Sequence, residues 1–158
     1  GDTRAHVRAA LAAVGAVEVD VEGADAPGYV LADDVAPVEP VAPWAALLPA
    51  LDPTTMGWKE RRWYLGDHAG ELFDAAGNGG TTAWWDGRIV GAWHQLDGPE
   101  VRIHLLEDIG REGADALAQE AARLTAWLDG ARPGGRWPSP VLARLRAGRA
   151  VSPAAGAG

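Results

Sequence analysis

The sequence predicts an α+β fold: a helix and a β-hairpin, then a small antiparallel β-rich domain with one long helix packed on its sheet. Three observations predict it. Between Thr81 and Asp108, the pairs Asp86-Gly87 and Asp97-Gly98 interrupt runs rich in Trp, Val, Ile and Thr, the strongest short-range signal for consecutive antiparallel strands. Between Arg111 and Leu128, apolar residues recur at helical spacing. Between them and the start of the chain, Pro37, Pro40 and Pro43 stand among acids and valines, where neither a helix nor a full strand ladder can form.

In order, Thr3 can cap a helix whose Val7, Ala10, Leu11 and Val14 line one face until Gly15 ends it. Val17, Val19 and Val21 alternate with Glu18 and Asp20 as in a half-buried strand, and Tyr29 to Ala32 supplies the return after a loop from Gly23 to Gly28. A helix followed by a looped hairpin is the end of a winged helix, with the hairpin as its wing. It equally describes a helix beside a ribbon with no role in DNA, and Glu22 and Asp25 at the hairpin tip would repel phosphates.

The expected domains are therefore residues 1–36 for the helix and wing, 37–43 for a Pro-rich linker, 44–140 for the β-rich domain, and 141–158 for a basic, partly disordered tail. Asp52-Pro53 signals a turn or helix start, and Leu65 to Ala76 a short helix before the Gly77-Asn78-Gly79-Gly80 exit. In the three-stranded meander that follows, a two-residue turn sets Trp85 opposite Arg88, Trp84 opposite Ile89 and Ala83 opposite Val90. A loop over Asp97-Gly98-Pro99 sets Leu96 opposite Glu100, Gln95 opposite Val101 and Trp93 opposite Ile103. Strict alternation then puts Trp84, Ile89, Trp93, Val101, Ile103 and Leu105 on a core face. Trp85, Arg88, Val90, His94, Arg102 and His104 fall on the other. The helix from Arg111, with its stripe of Ala114, Leu117, Ala121, Leu124 and Leu128, should cover Trp84 and Trp93. Glu107-Asp108 would stabilise the dipole at its N-terminus. Trp137 to Pro140 forms a kink, Val141 to Arg146 a short helical stretch, and Val151 to Gly158 is too small and polar to be ordered by packing.

The 158 residues suffice for one ordinary domain or two small ones. No apolar run approaches the roughly 20 residues of a membrane helix, and no signal peptide opens the chain, so no membrane partner is expected. The chain starts at Gly1-Asp2 without Met, as a fragment would. With no cysteine there is no disulfide or thiolate metal site, which fits a reducing cytoplasm. A net charge of −8 argues against holding nucleic acid by bulk electrostatics, although the charges are uneven: no acid follows Asp129, while Arg132, Arg136, Arg144, Arg146 and Arg149 do.

Two surfaces could carry a function. Lys59, Arg61 and Arg62, flanked by Trp58, Trp63 and Tyr64, interleave cations and aromatics, a pattern suited to stacking on bases and touching phosphates; the same residues also describe a surface turn with buried tryptophans and solvated charges. On the meander, Arg88, His94, Arg102 and His104 with Trp85 form either an anion-binding face or a solvated one. His94 and His104 alone make a poor metal site, and the adjacent arginines oppose a cation, so no metal or other cofactor is expected. No phosphate loop, His-Glu-x-x-His or Gly-x-Ser-x-Gly motif is present.

An ordered series of motifs then carries a resemblance: Leu47-Leu48-Pro49-Ala50-Leu51-Asp52-Pro53, Gly57-Trp58-Lys59-Glu60-Arg61, Asn78-Gly79, Trp84 to Gly91, Leu105-Leu106-Glu107-Asp108 and Leu124 to Leu128. Together they resemble the C-terminal part of the bacterial winged-helix DNA-binding domain family, which includes DNA glycosylases that unhook interstrand crosslinks and alkylated bases. The resemblance covers most of Thr3 to Pro140. It implies that Thr3 to Asp34 is a last helix and wing, and that DNA is the partner. In the glycosylase members catalysis rests on a Gln-x-Gln or His-x-Gln motif in the N-terminal winged-helix region. The glutamines here are Gln95 and Gln119, and His94-Gln95 lacks the intervening residue, so no catalytic residue transfers. Either the catalytic part lies upstream or this branch binds DNA without cleaving it; a structural or dimerisation module without DNA contacts is the alternative reading.

Overall fold

The computed structural model of the chain describes residues 3–22, 26–96, 98–133 and 139–148. Expectations for Asp25, Asp97, Arg136, Trp137, Arg149 and Val151 to Gly158 lie outside the described residues. The chain divides into two compact units, Gly1–Ala42 and Pro43–Gly158.

In the first unit, helix α1 (Thr3–Ala13) ends where Gly15 takes φ +63°, and β1 (Val17–Val19) pairs antiparallel with β2 (Gly28–Val30). The register sets Glu18 beside Tyr29, whose hydroxyl donates to the Glu18 carboxylate at 3.2 Å. Both strands are shorter than their alternating runs suggest. Val7 on α1 and Val14 just after it remain exposed, and residues 33–43 form neither helix nor strand.

The second unit holds a four-stranded antiparallel sheet in the order β3 (Ala45–Leu48), β4 (Thr82–Trp85), β5 (Arg88–His94), β6 (Arg102–Leu105). The expected meander is therefore present with an additional edge strand. Asp86 and Gly87 both take positive φ at the first hairpin, the geometry a two-residue primed turn needs. Trp85 opposes Arg88, Trp84 opposes Ile89 and Trp93 opposes Ile103.

One expected pair differs, with a large consequence. Ala83 opposes Gly91, not Val90, because the register shifts between Ala83 and Trp84. Val90 is the extra residue of a β-bulge, and a bulge resets which side chains face which way. Trp84, Ile89 and Ala92 pack with Tyr64, Leu65, Leu72, Leu106, Val141 and Leu142 on one face. Val90 and Trp93 pack on the opposite face, with Leu117 and Ala121 of the long helix respectively. Gly91 allows the bulge: a Cβ there would stand 2.3 Å from the His104 carbonyl oxygen.

Both faces are covered, because short helices that the sequence marks weakly close the second one. These are α2 (Pro53–Met56), α3 (Arg62–Leu65), α4 (Ala69–Leu72) and α6 (Pro140–Arg146); the long helix is α5 (Gly110–Leu128). Asp52 caps α2 by accepting from Thr54 N at 2.8 Å, as Asp before Pro predicts. Val141 and Leu142 make α6 part of the core, and Arg144 pairs with Glu71 of α4. Helix α5 buries Gly113, Leu117 and Ala121 and leaves Trp127 exposed. It covers Trp93 as expected, but Trp84 lies on the opposite face. Among the described residues, no helix is long and apolar enough to cross a membrane.

Candidate nucleic-acid interface

The cation-aromatic segment expected from the sequence runs from the end of α2 into α3, and the structure separates its residues into two groups. Gly57 N donates to Pro53 O at 2.7 Å, and a Cβ on Gly57 would stand 2.8 Å from that oxygen, so only glycine lets the chain leave α2 this tightly. Arg61 turns inward. Its Nη1 donates to Thr55 O at 2.6 Å and Trp58 O at 3.3 Å, and its guanidinium lies 4.2 Å from the Phe73 ring centroid. Thr55, whose carbonyl it holds, is itself fully buried. Arg61 is thus a clamp for the loop, not a surface cation, which departs from the expectation for this residue.

Lys59 and Arg62 are exposed, as is the neighbouring Glu60. Arg62 reaches Asp67 at 3.3 Å through a pair exposed on both sides, which contributes little to stability. Trp58 and Trp63 are 45% and 55% exposed, so the tryptophans that were candidates for burial stand at the surface.

These indoles are held in place from below. Trp63 meets Tyr64 edge-on at 4.9 Å, Tyr64 packs on Trp84 at 5.3 Å, and Trp58 meets Trp63 edge-on at 6.5 Å. The Tyr64 hydroxyl donates to Thr54 O at 2.7 Å. Burial pushes its pKa up, partly opposed by the Arg61 charge, so it stays a donor. A ladder of four aromatic rings therefore runs from the sheet core at Trp84 to the surface at Trp58.

The second expected surface does not form as one face. Trp85 packs with the α5-facing cluster, and Val90 is fully buried there. Arg88, cross-strand partner of Trp85, donates to Glu107 Oε1 at 2.6 Å, while His68 Nε2 lies 3.1 Å from Glu107 Oε2. Glu107 thus joins three segments of the fold instead of the α5 terminus, and it is Asp108 that accepts from Gly110 N at 2.9 Å. His94 and His104 are diagonal, since His94 opposes Arg102 and Ala92 opposes His104. The Nε2 of His104 is buried without a partner, and burial lowers its pKa. Arg102 is exposed and lies 3.7 Å from Glu100. The bulge and the covering helices break up the anion-binding face that strict alternation would have built. A groove of about 700 Å³ runs between β6 and α5, but it is lined mainly by small apolar side chains, and of the sequence candidates only Arg102 borders it.

Of the candidates in this segment, Lys59, Arg62 and Trp63 are exposed, with Trp58 exposed beside them. No periodicity in the segment separates these exposed side chains from the inward Arg61.

The chain is similar to a solved structure, Streptomyces sahachiroi DNA glycosylase AlkZ, with 26% identity and a TM-score of 0.59 over 78% of this chain and 35% of that one. The chain thus spans about a third of the length of that protein. No curated protein matches it. The family described as DNA glycosylase AlkZ-like matches residues 1–127, and the chain belongs to that family.

Proposed function

We propose that this chain is the C-terminal, DNA-contacting portion of a DNA-repair glycosylase that acts on alkylated or crosslinked DNA. The contact surface is Lys59, Arg62 and Trp63. The observation that carries the reading is a family match spanning both units, combined with exposed aromatics and cations on a clamped loop. In this reading α1 and the β1–β2 ribbon are the last helix and wing of a winged helix. The helix-then-ribbon order supports it.

The division of labour follows from the chemistry present. Lys59 and Arg62 supply charge to phosphates, and Trp63 supplies a ring face. No residue of the chain is assigned to glycosidic bond cleavage, which would rest with other parts of the protein. Arg102 is kept as a secondary phosphate contact, and Arg61 acts by holding the loop.

A titration of labelled duplex DNA with the chain, repeated at several salt concentrations, tests this. Lys59→Ala with Arg62→Ala should weaken binding and reduce the magnitude of the log K against log salt slope by about 1.8, at roughly 0.9 per phosphate contact. Unchanged affinity and slope would remove the site. Absence of binding at low salt would instead favour the purely structural role of the second unit.

A further inference from the structure

The two exposed cations of the patch hold a duplex only weakly, and its ring surface is more than phosphates alone would use. We infer that Trp58 and Trp63 bind an unpaired nucleobase of a DNA strand, one indole stacking on its face and the other, inclined at 68°, bordering its edge, with Lys59 and Arg62 meeting the phosphates that flank it. This rests on the reading of the patch as a DNA contact and specifies its ligand.

Three features lead there. First, a paired base offers only its edges to a protein, whereas an unstacked one offers a face, and faces are what exposed indoles bind. Trp58 and Trp63 present 45% and 55% of their surface and meet edge to face at 68°, a contact that covers a ring face of only one of the two and leaves indole surface open to a ligand. Second, the ladder to Trp84 and the Tyr64 hydroxyl bond to Thr54 hold Trp63. Arg61 holds the Trp58 carbonyl. A platform fixed before binding loses little freedom on binding. Third, charge is scarce. Arg61 is withdrawn into the loop, Glu60 and Asp67 neighbour the two exposed cations, and the chain carries a net −8. Two phosphate contacts give weak binding with a shallow salt slope, so stacking, which is salt-insensitive and indifferent to base identity, must carry much of the affinity. Tryptophan and arginine are common at protein interfaces and lysine is not, so it is the match to a DNA glycosylase family, and not the composition of the patch, that favours a nucleic acid as its ligand.

Binding to three labelled DNAs decides it: a thymidine oligomer, a fully paired duplex, and the same duplex with one bulged thymine. The chain should bind the oligomer and the bulged duplex more tightly than the paired one. Trp63→Ala should weaken the first two by about tenfold without changing the salt slope or the affinity for the paired duplex, while Trp63→Phe keeps most of the binding. Lys59→Ala with Arg62→Ala should instead lower the slope on the oligomer by about 1.4. If the cation variant weakens binding but Trp63→Ala does not, or weakens all three DNAs equally, the site stands and stacking is overturned. If both variants bind all three DNAs as the parent does, the DNA reading of the patch falls as well.

Discussion

Trp84 and Trp93 sit on opposite faces of one sheet. Val90 is the extra residue between their two environments, and the turn of phase depends on Gly91, whose Cα faces the His104 carbonyl too closely for any side chain. A methyl group at Gly91 forces apart strands whose hydrogen bonds hold the centre of the sheet.

Gly91→Ala should therefore destabilise the second unit by about 1–3 kcal/mol or more, the range for overpacking a closed site. Urea denaturation checks it: the midpoint should fall with little change in slope. A midpoint equal to the parent's would mean that the bulge has room the structure does not give it.

Arg61 and Arg62 are adjacent in sequence and opposite in role. Arg61→Ala removes two hydrogen bonds to backbone carbonyls and the contact with Phe73, and should cost about 1.5–3 kcal/mol. Arg61→Lys should not restore it, since an ammonium cannot bridge both carbonyls with a planar face on the ring. Arg62→Ala loses only an exposed pair with Asp67 and should stay within about 0.5 kcal/mol of the parent. Thermal melts of the three variants compare them directly; a reversed order contradicts the assignment of clamp and contact.

These neighbouring arginines mark where the sequence was legible and where it was not. The Asp86-Gly87 turn fixed the register at Trp84 and Ile89, and apolar spacing located α5, because both signals are local. The bulge is not local: Gly91 reads as one more small residue until β6 is placed beside it. Ala45 to Leu48 is a short apolar run, equally suited to helix or strand, and becomes a strand only because β4 offers an open edge. The predicted anion face failed for the same reason, since His104 and Val90 look outward only if alternation is unbroken and no helix covers the second face. In the segment from Trp58 to Trp63, composition identified the patch, but no pattern of charges distinguishes Arg61, folded under the loop, from Arg62.

The pH dependence of stability should carry the mark of His104. Burial holds its pKa below the ordinary histidine value, whereas in the unfolded chain it titrates near 6.5. Between the two values the unfolded state binds more protons, so the stabilisation is complete above about pH 6.5 and is lost as pH falls through the folded value. His104→Leu removes this and the unpartnered Nε2. The drop in urea midpoint from about pH 7.5 to about pH 5 should be smaller in the variant than in the parent; an equal drop would assign the dependence to other groups. His68 beside Glu107 is present in both proteins and cancels.

The patch itself is tested most directly by the indole N–H resonances of the chain during titration with a thymidine oligomer. Trp84 and Trp93 donate their indole N–H to Thr82 and Leu48 inside the fold and should not move. Trp58 and Trp63 should shift together and saturate with the same affinity that anisotropy reports. Shifts confined to Trp127 or Trp44, or no shift at DNA concentrations where anisotropy saturates, would contradict the account.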